Sequence, residues 1–244
     1  MQPDQNEQTL DVIAVGAHPD DVEIACGATL AKLSNQGYRV GIVDLTDGEP
    51  TPNSPGPETR RQEAIEAARE LGISTRIQLE LPNRRLFDCF ESRVALAKIF
   101  RLHRPQLVMG FGDRTPLASP DHWQAMQITD AAIFYSRLCK WDQYFDGLPV
   151  HTIPRHLYFR LAVEPDTIPG NSHHLTVDVT ETLEQKIQSL RCYQTQFGHK
   201  EGIYERVRAA AIVTGAAAGV SAGESFASAK PFPIDDLCKT LQIS

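Results

Sequence analysis

The chain has 244 residues, 41% hydrophobic and 23% charged, with a formal net charge of −7. That is globular composition with length enough for one large α/β core, and an acidic balance with no Lys/Arg run argues against a nucleic-acid partner. No apolar stretch approaches the roughly 20 residues that cross a bilayer, and the start MQPDQNEQTLD is too polar for a signal peptide, so a cytoplasmic protein without a membrane partner is expected.

Residues 11–17 (DVIAVGA) are a short apolar run of the kind a buried parallel strand shows, and they lead straight into His18, Pro19, Asp20 and Asp21. Ile24, Leu30 and Leu33 then fall at helical spacing until Gly37 stops the helix, and residues 38–45 complete a β-α-β unit. Pro50, Pro52, Pro55 and Pro57 exclude regular structure over 50–57. A second helix is predicted at 58–71, a third strand at 76–81, a third helix at 91–103 and a fourth strand at 106–110. A polar loop, 111–120, delivers Asp121 and His122 to the head of an amphipathic helix ending near Leu138.

Beyond 140 the pattern becomes mixed: an aromatic loop with Trp141, Tyr144 and Phe145, strands at 156–161 and 175–179, and helices at 180–193 and 203–218. The alternation predicts an α/β, Rossmann-like, mostly parallel sheet flanked by helices, with a mixed C-terminal part, in one domain spanning 1–244. Ligand sites in such sheets gather at the carboxyl ends of strands, so the loops after strands one and four are expected to converge. No GxGxxG follows the first strand, which argues against a dinucleotide site. Five scattered cysteines with no CxxC pair suggest neither a disulfide framework nor a thiolate metal site.

His18 and Asp21, three apart around a turn, can supply two metal ligands, and His122 is the choice for a third. Two imidazoles and a carboxylate suit Zn²⁺ and also describe non-haem Fe²⁺ sites. Asp20 would then be free beside the metal to accept a proton from water. The plainer alternative is a polar turn in which Asp20 or Asp21 caps the following helix, and spacing alone leaves both open.

The segments AHPDDVEIACGATLAKL, DLTDGE, TRRQEAIEAARELG and SPDH, in that order, resemble the PIG-L/LmbE family of zinc-dependent N-deacetylases, as do LEQKIQSLRCYQTQF and GESFASAKPFPIDDL further on. Within the family the bacillithiol-biosynthesis N-acetylglucosaminide deacetylase type is the most similar. The resemblance implies zinc ligands at His18, Asp21 and His122, a general base at Asp20 and a substrate-holding arginine at Arg60. It implies removal of the N-acetyl group from an N-acetylglucosamine-type sugar or glycoside, by attack of metal-bound water through a tetrahedral oxyanion. A homo-oligomer is also implied.

Three positions depart from the family pattern. Ser119 stands where a histidine helps to stabilise the oxyanion, which would leave a weaker catalytic donor there. Asn83 replaces a substrate-side aspartate with an amide that can also donate, and Ala222 stands where bacillithiol-type relatives tend to carry tyrosine. These departures keep a second reading in play, a zinc-containing carbohydrate-binding protein with weak or lost turnover. Glu23 and Glu49 are candidates for the pocket wall or for helix-dipole partners. His173 and His174, adjacent in a polar stretch, are a weak basis for a second metal site, and Trp141, Tyr144 and Phe145 suit a sugar platform, a subunit contact or plain core.

Overall fold

Strand β1 (Val12–Gly16) is buried at every position, which is why its sequence VIAVG carries no polar alternation. The computed structural model describes residues 9–115, 118–162, 174–236 and 240. In it β1 pairs in parallel with β2 (Val40–Asp44) on one side and β4 (Leu107–Phe111) on the other. Strand β3 (Thr75–Gln78) extends the sheet beyond β2, and β5 (Arg155–Phe159) extends it beyond β4, all in parallel. The chain therefore leaves β1 in one direction and later returns to its other side. That reversal opens a crevice above the carboxyl ends of β1 and β4, the usual place for a ligand in an open α/β sheet.

Helices α1 (Asp21–Asn35), α2 (Pro57–Glu70), α3 (Phe90–His103) and α4 (Asp121–Tyr135) supply the crossovers between these strands. The predicted Rossmann-like architecture is what the described residues adopt. The C-terminal part adds β6 (His174–Asp178), α5 (Leu183–Cys192), the short α6 (Gln194–Phe197), α7 (Ile203–Ala217) and β7 (Gly223–Ser228). The sheet order is β3-β2-β1-β4-β5-β7-β6, and β7 runs antiparallel to both neighbours. Nothing in the apolar pattern of GESFAS announces this strand. Its pairing comes from the backbones of β5 and β6, and its burial from α7, whose Gly215 meets it so closely that a Cβ there would lie 2.6 Å from the Ala222 backbone.

Helix α1 is broken at Cys26, which has φ −137° and ψ 20°. The break frees the Ala28 and Thr29 amides, and both donate to the Glu224 carboxylate of β7 at 3.2 and 2.7 Å. Lys186 of α5 completes the joint, with its Nζ 2.6 Å from Glu224 Oε1 and 3.3 Å from the Ala25 carbonyl oxygen. All these charges are buried. Of the aromatic loop, Phe145 is core, fully buried under the Arg101 guanidinium at 3.6 Å, while the half-buried Trp141 and the exposed Tyr144 lie against Phe90 at 6.0 and 5.0 Å. Among the described residues no helix is long and apolar enough to cross a membrane.

Candidate active site

Strand β1 ends at Gly16, and within five residues the chain reverses into α1, so the backbone of the turn is tight enough to be held by its own side chains. Asp21 Oδ2 accepts the Ala17 and His18 amides at 3.0 and 2.8 Å, leaving Oδ1 to face His122 Nε2 at 3.2 Å. His18 Nδ1 lies 3.3 Å from Asp21 Oδ2, and its Nε2 lies 3.2 Å from Asp121 Oδ2. His122 comes from the head of α4, with its Nδ1 2.7 Å from the Thr115 hydroxyl and its ring stacked on Phe111 at 4.6 Å. One ligand atom from each of His18, Asp21 and His122 falls within 4.8 Å of the others.

The donor chemistry fits a divalent metal ion. Tetrahedral ligands with bonds of about 2.0–2.1 Å sit about 3.3 Å apart, close to the 3.2 and 3.3 Å separations between Asp21 and the two imidazoles. Each imidazole also has its second nitrogen engaged, by Asp121 or Thr115, which fixes ring orientation as outer partners of metal-binding histidines do. Without a cation the same groups hold protons instead. Burial lowers the His18 pKa, but Asp21 and Asp121 outweigh it and raise it to about 10. His122 is raised for the same reason by Asp21, and the two histidines in turn hold Asp21 well below the usual carboxylate range despite its burial.

Asp20 occupies the N-cap position of α1 with φ 111°, yet its side chain makes no capping bond. A non-glycine residue in this left-handed region is strained, and such residues collect at functional sites. Its carboxylate instead accepts from Arg60 Nη2 at 3.0 Å, and burial, opposed by Arg60, pushes its pKa up to about 6. Arg60 is itself buried, bonded also to the Pro19 carbonyl, with Nε and Nη1 left without partners.

A cavity of about 350 Å³ opens over this cluster, and all seven residues expected at the site, His18, Asp20, Asp21, Arg60, Asn83, Ser119 and His122, line it. Asn83 donates from Nδ2 to the Glu49 carbonyl at 2.7 Å, and its Oδ1 is buried and unbonded. Ser119 Oγ accepts the Asp121 amide at 3.3 Å, so its own proton is free. Gln196, Lys200 and Ile203 close the far wall from the C-terminal part, a contribution with no metal-like or catalytic signature in sequence. Asp121 is the other residue whose role spacing did not assign: besides His18 it accepts the Arg84 amide at 2.6 Å.

Several candidates fall elsewhere. Glu23 is fully buried away from the cavity, accepting the Tyr193 hydroxyl at 2.8 Å and pairing with Arg76, while the Glu49 carboxylate is turned back onto Thr51 at 2.8 and 3.0 Å. Ala222 packs with Ala28, Val179, Leu183 and Ala211 and does not line the cavity, so the missing tyrosine leaves no gap there. His173 lies outside the described residues, and His174 is the first residue of β6.

Residues 13–133 match the PIG-L family, described as GlcNAc-PI de-N-acetylase. The chain is 28% identical to 1D-myo-inositol 2-acetamido-2-deoxy-alpha-D-glucopyranoside deacetylase 2 of Saccharopolyspora erythraea, across 77% of this chain and 84% of that protein. Among solved structures it is similar to the conserved protein TT1542 from Thermus thermophilus, with 30% identity, coverage of 94% and 99% of the two chains, and a TM-score of 0.78. It is also similar to the N,N'-diacetylchitobiose deacetylase from Pyrococcus horikoshii, with 26% identity, coverage of 97% and 92%, and a TM-score of 0.76. With this overlap of sequence and fold, the chain belongs to the PIG-L family of deacetylases.

Proposed function

We propose that this chain is a single-domain, metal-dependent N-deacetylase that hydrolyses the acetamide of an N-acetylglucosamine-type sugar or glycoside, with Zn²⁺ as the metal. The observation that carries the reading is a carboxylate, Asp20, left without a capping role beside two imidazoles and a second carboxylate at the floor of a cavity. The names of the relatives, which act on N-acetylated glucosaminides, support the substrate class.

His18, Asp21 and His122 would hold the metal, which when bound supplies Lewis acidity and makes water nucleophilic near neutral pH. Asp20, with its pKa near 6, takes the proton as water adds to the acetamide carbonyl and returns it to the departing nitrogen. Arg60, which lines the cavity, holds the Asp20 carboxylate in place and is the residue expected to steady the substrate. Asn83, whose amide nitrogen is committed to the Glu49 carbonyl, lines the cavity on the side expected to meet the substrate. The Ser119 hydroxyl donates towards the developing oxyanion.

Acetate release from N-acetylglucosamine and a panel of its glycosides by the zinc-loaded protein tests the reading. Asp20→Asn is expected to keep a full equivalent of zinc and lose turnover by about 10²- to 10⁴-fold, whereas His122→Ala loses the metal. If the zinc-loaded protein releases no acetate and Asp20→Asn changes nothing, the hydrolase reading fails and carbohydrate binding without turnover takes its place.

A further inference from the structure

Adding water to an acetamide leaves negative charge on the carbonyl oxygen, and a donor aimed at that charge is commonly worth more than any other single contact in such a site. The donors that line this cavity differ in how much they have left to give. Arg60 spends Nη2 on Asp20 and Pro19, so its charge is matched by the base. Ser119 offers one neutral hydroxyl. Lys200 stands over the Phe197 ring at 5.1 Å, on the wall built by the C-terminal part.

Arg84 is held differently. Its backbone sits in the left-handed region with φ 60°, a conformation that glycine adopts more readily, and its amide donates to Asp121 Oδ2 at 2.6 Å. The same oxygen lies 3.2 Å from His18 Nε2, so one carboxylate atom separates the Arg84 main chain from the metal-binding ring. Arg84 lines the cavity with an exposed residue surface, and among the described residues its guanidinium makes no hydrogen bond or ion pair. An arginine is longer than that gap. A strained position beside the metal cluster thus keeps a long cation where a glycine would satisfy the backbone.

We propose that Arg84 is a catalytic residue whose guanidinium donates to the oxyanion formed during deacetylation, supplementing the neutral Ser119 hydroxyl; the proposal rests on the deacetylase reading above. Water oxygen bonds to the carbonyl carbon, its proton passes to Asp20, and the carbonyl π pair moves onto the oxygen to which Arg84 donates. On collapse the carbonyl re-forms, the C–N bond breaks, and the nitrogen takes the proton from Asp20, giving acetic acid and the free amine. Arg84 exchanges no proton in either step.

Arg84→Gly is the informative variant, because glycine suits φ 60° and keeps the amide bonded to Asp121. With the zinc-loaded protein and an N-acetylglucosaminide that the wild type turns over, Arg84→Gly is expected to lower kcat by about 10²-fold with KM little changed and zinc content intact. Arg84→Lys retains part of the rate, and added guanidinium ion restores part of it to Arg84→Gly. A phosphonamidate analogue of N-acetylglucosamine, which carries tetrahedral oxygens at the reacting centre, binds Arg84→Gly more weakly by a similar factor, while glucosamine binds equally well. An unchanged kcat, a rise in KM alone, or unaltered analogue binding overturns the role of Arg84. If the wild type itself releases no acetate, the deacetylase reading fails first and takes this role with it.

Discussion

The joint between α1, α5 and β7 makes an asymmetric prediction about stability. Lys186→Met leaves the Glu224 carboxylate with two amide donors, from Ala28 and Thr29 at 3.2 and 2.7 Å. Glu224→Leu strips three donors of their acceptor at once, and the remaining Lys186 ammonium keeps only the Ala25 carbonyl at 3.3 Å. Removing one partner of a buried ion pair costs about 3–5 kcal/mol when the survivor is left alone. Glu224→Leu is therefore expected to cost about 4 kcal/mol and Lys186→Met, whose surviving charge stays hydrogen-bonded, about 2 kcal/mol. For a chain of this length each kcal/mol shifts Tm by about 2–4 °C, giving drops of about 8–16 °C and about 4–8 °C. The double variant removes both charges together and should lose less than the sum. Thermal unfolding followed by circular dichroism in the presence of chelator measures all three without a contribution from metal binding. Equal losses for the two single variants, or strict additivity in the double, would refute the account of the joint.

Asp121→Asn should weaken zinc binding by about 10- to 100-fold in a chelator competition, because the carboxylate that orients His18 is lost; an unchanged affinity would show that the ring needs no such support. His156, on β5, is lowered by burial to about 4 from an ordinary 6.5, so the unfolded chain takes up its proton first as pH falls. The stability this residue contributes is complete above pH 6.5 and is lost between 6.5 and 4. Urea midpoints across that window should fall less steeply in His156→Phe than in the wild type, and identical slopes would remove His156 from the acid transition. Arg101→Leu deprives the Leu138 and Leu148 carbonyls of their donor, leaves the Ser136 carbonyl with the His151 amide alone and takes the cover from Phe145, for a loss of about 2–4 kcal/mol by the same urea measurement. A loss under about 1 kcal/mol would mean that water replaces the guanidinium at those carbonyls.

Much of the fold was legible because parallel strands buried on both faces are written as unbroken apolar runs, and α1, α2 and α3 stop just before Gly37, Gly72 and Pro105. DVIAVGA and QLVMG are such runs, and the chemistry-bearing turns follow each of them. The convergence of His18, Asp21 and His122 was readable in principle from topology alone, since the two strands they follow are neighbours at the point where the chain reverses direction. Strand β7 was not readable, because GESFAS owes its strand state to the partners on either side and to Gly215, none of which is local. Glu23 and Glu49, for which a pocket wall and a helix-dipole role both stood open, could not be decided for a related reason. A carboxylate near a helix start has the same sequence signature whether it faces a pocket, Tyr193 and Arg76, or its own loop.

The position of β7 also fixes an order of assembly. His18, Asp21 and His122 all belong to the first half of the chain, so during synthesis they emerge well before residue 223. Strand β6, by contrast, has β7 as its one hydrogen-bonded neighbour in the sheet among the described residues. Until β7 is made, β5 presents an open edge and β6 has nowhere to dock, and unpaired edges of this kind invite pairing with other chains. The nascent protein thus passes through an interval in which the half that carries the histidine-aspartate cluster is made while its sheet is unfinished, and β7 ends that interval by filling the gap between two strands already made.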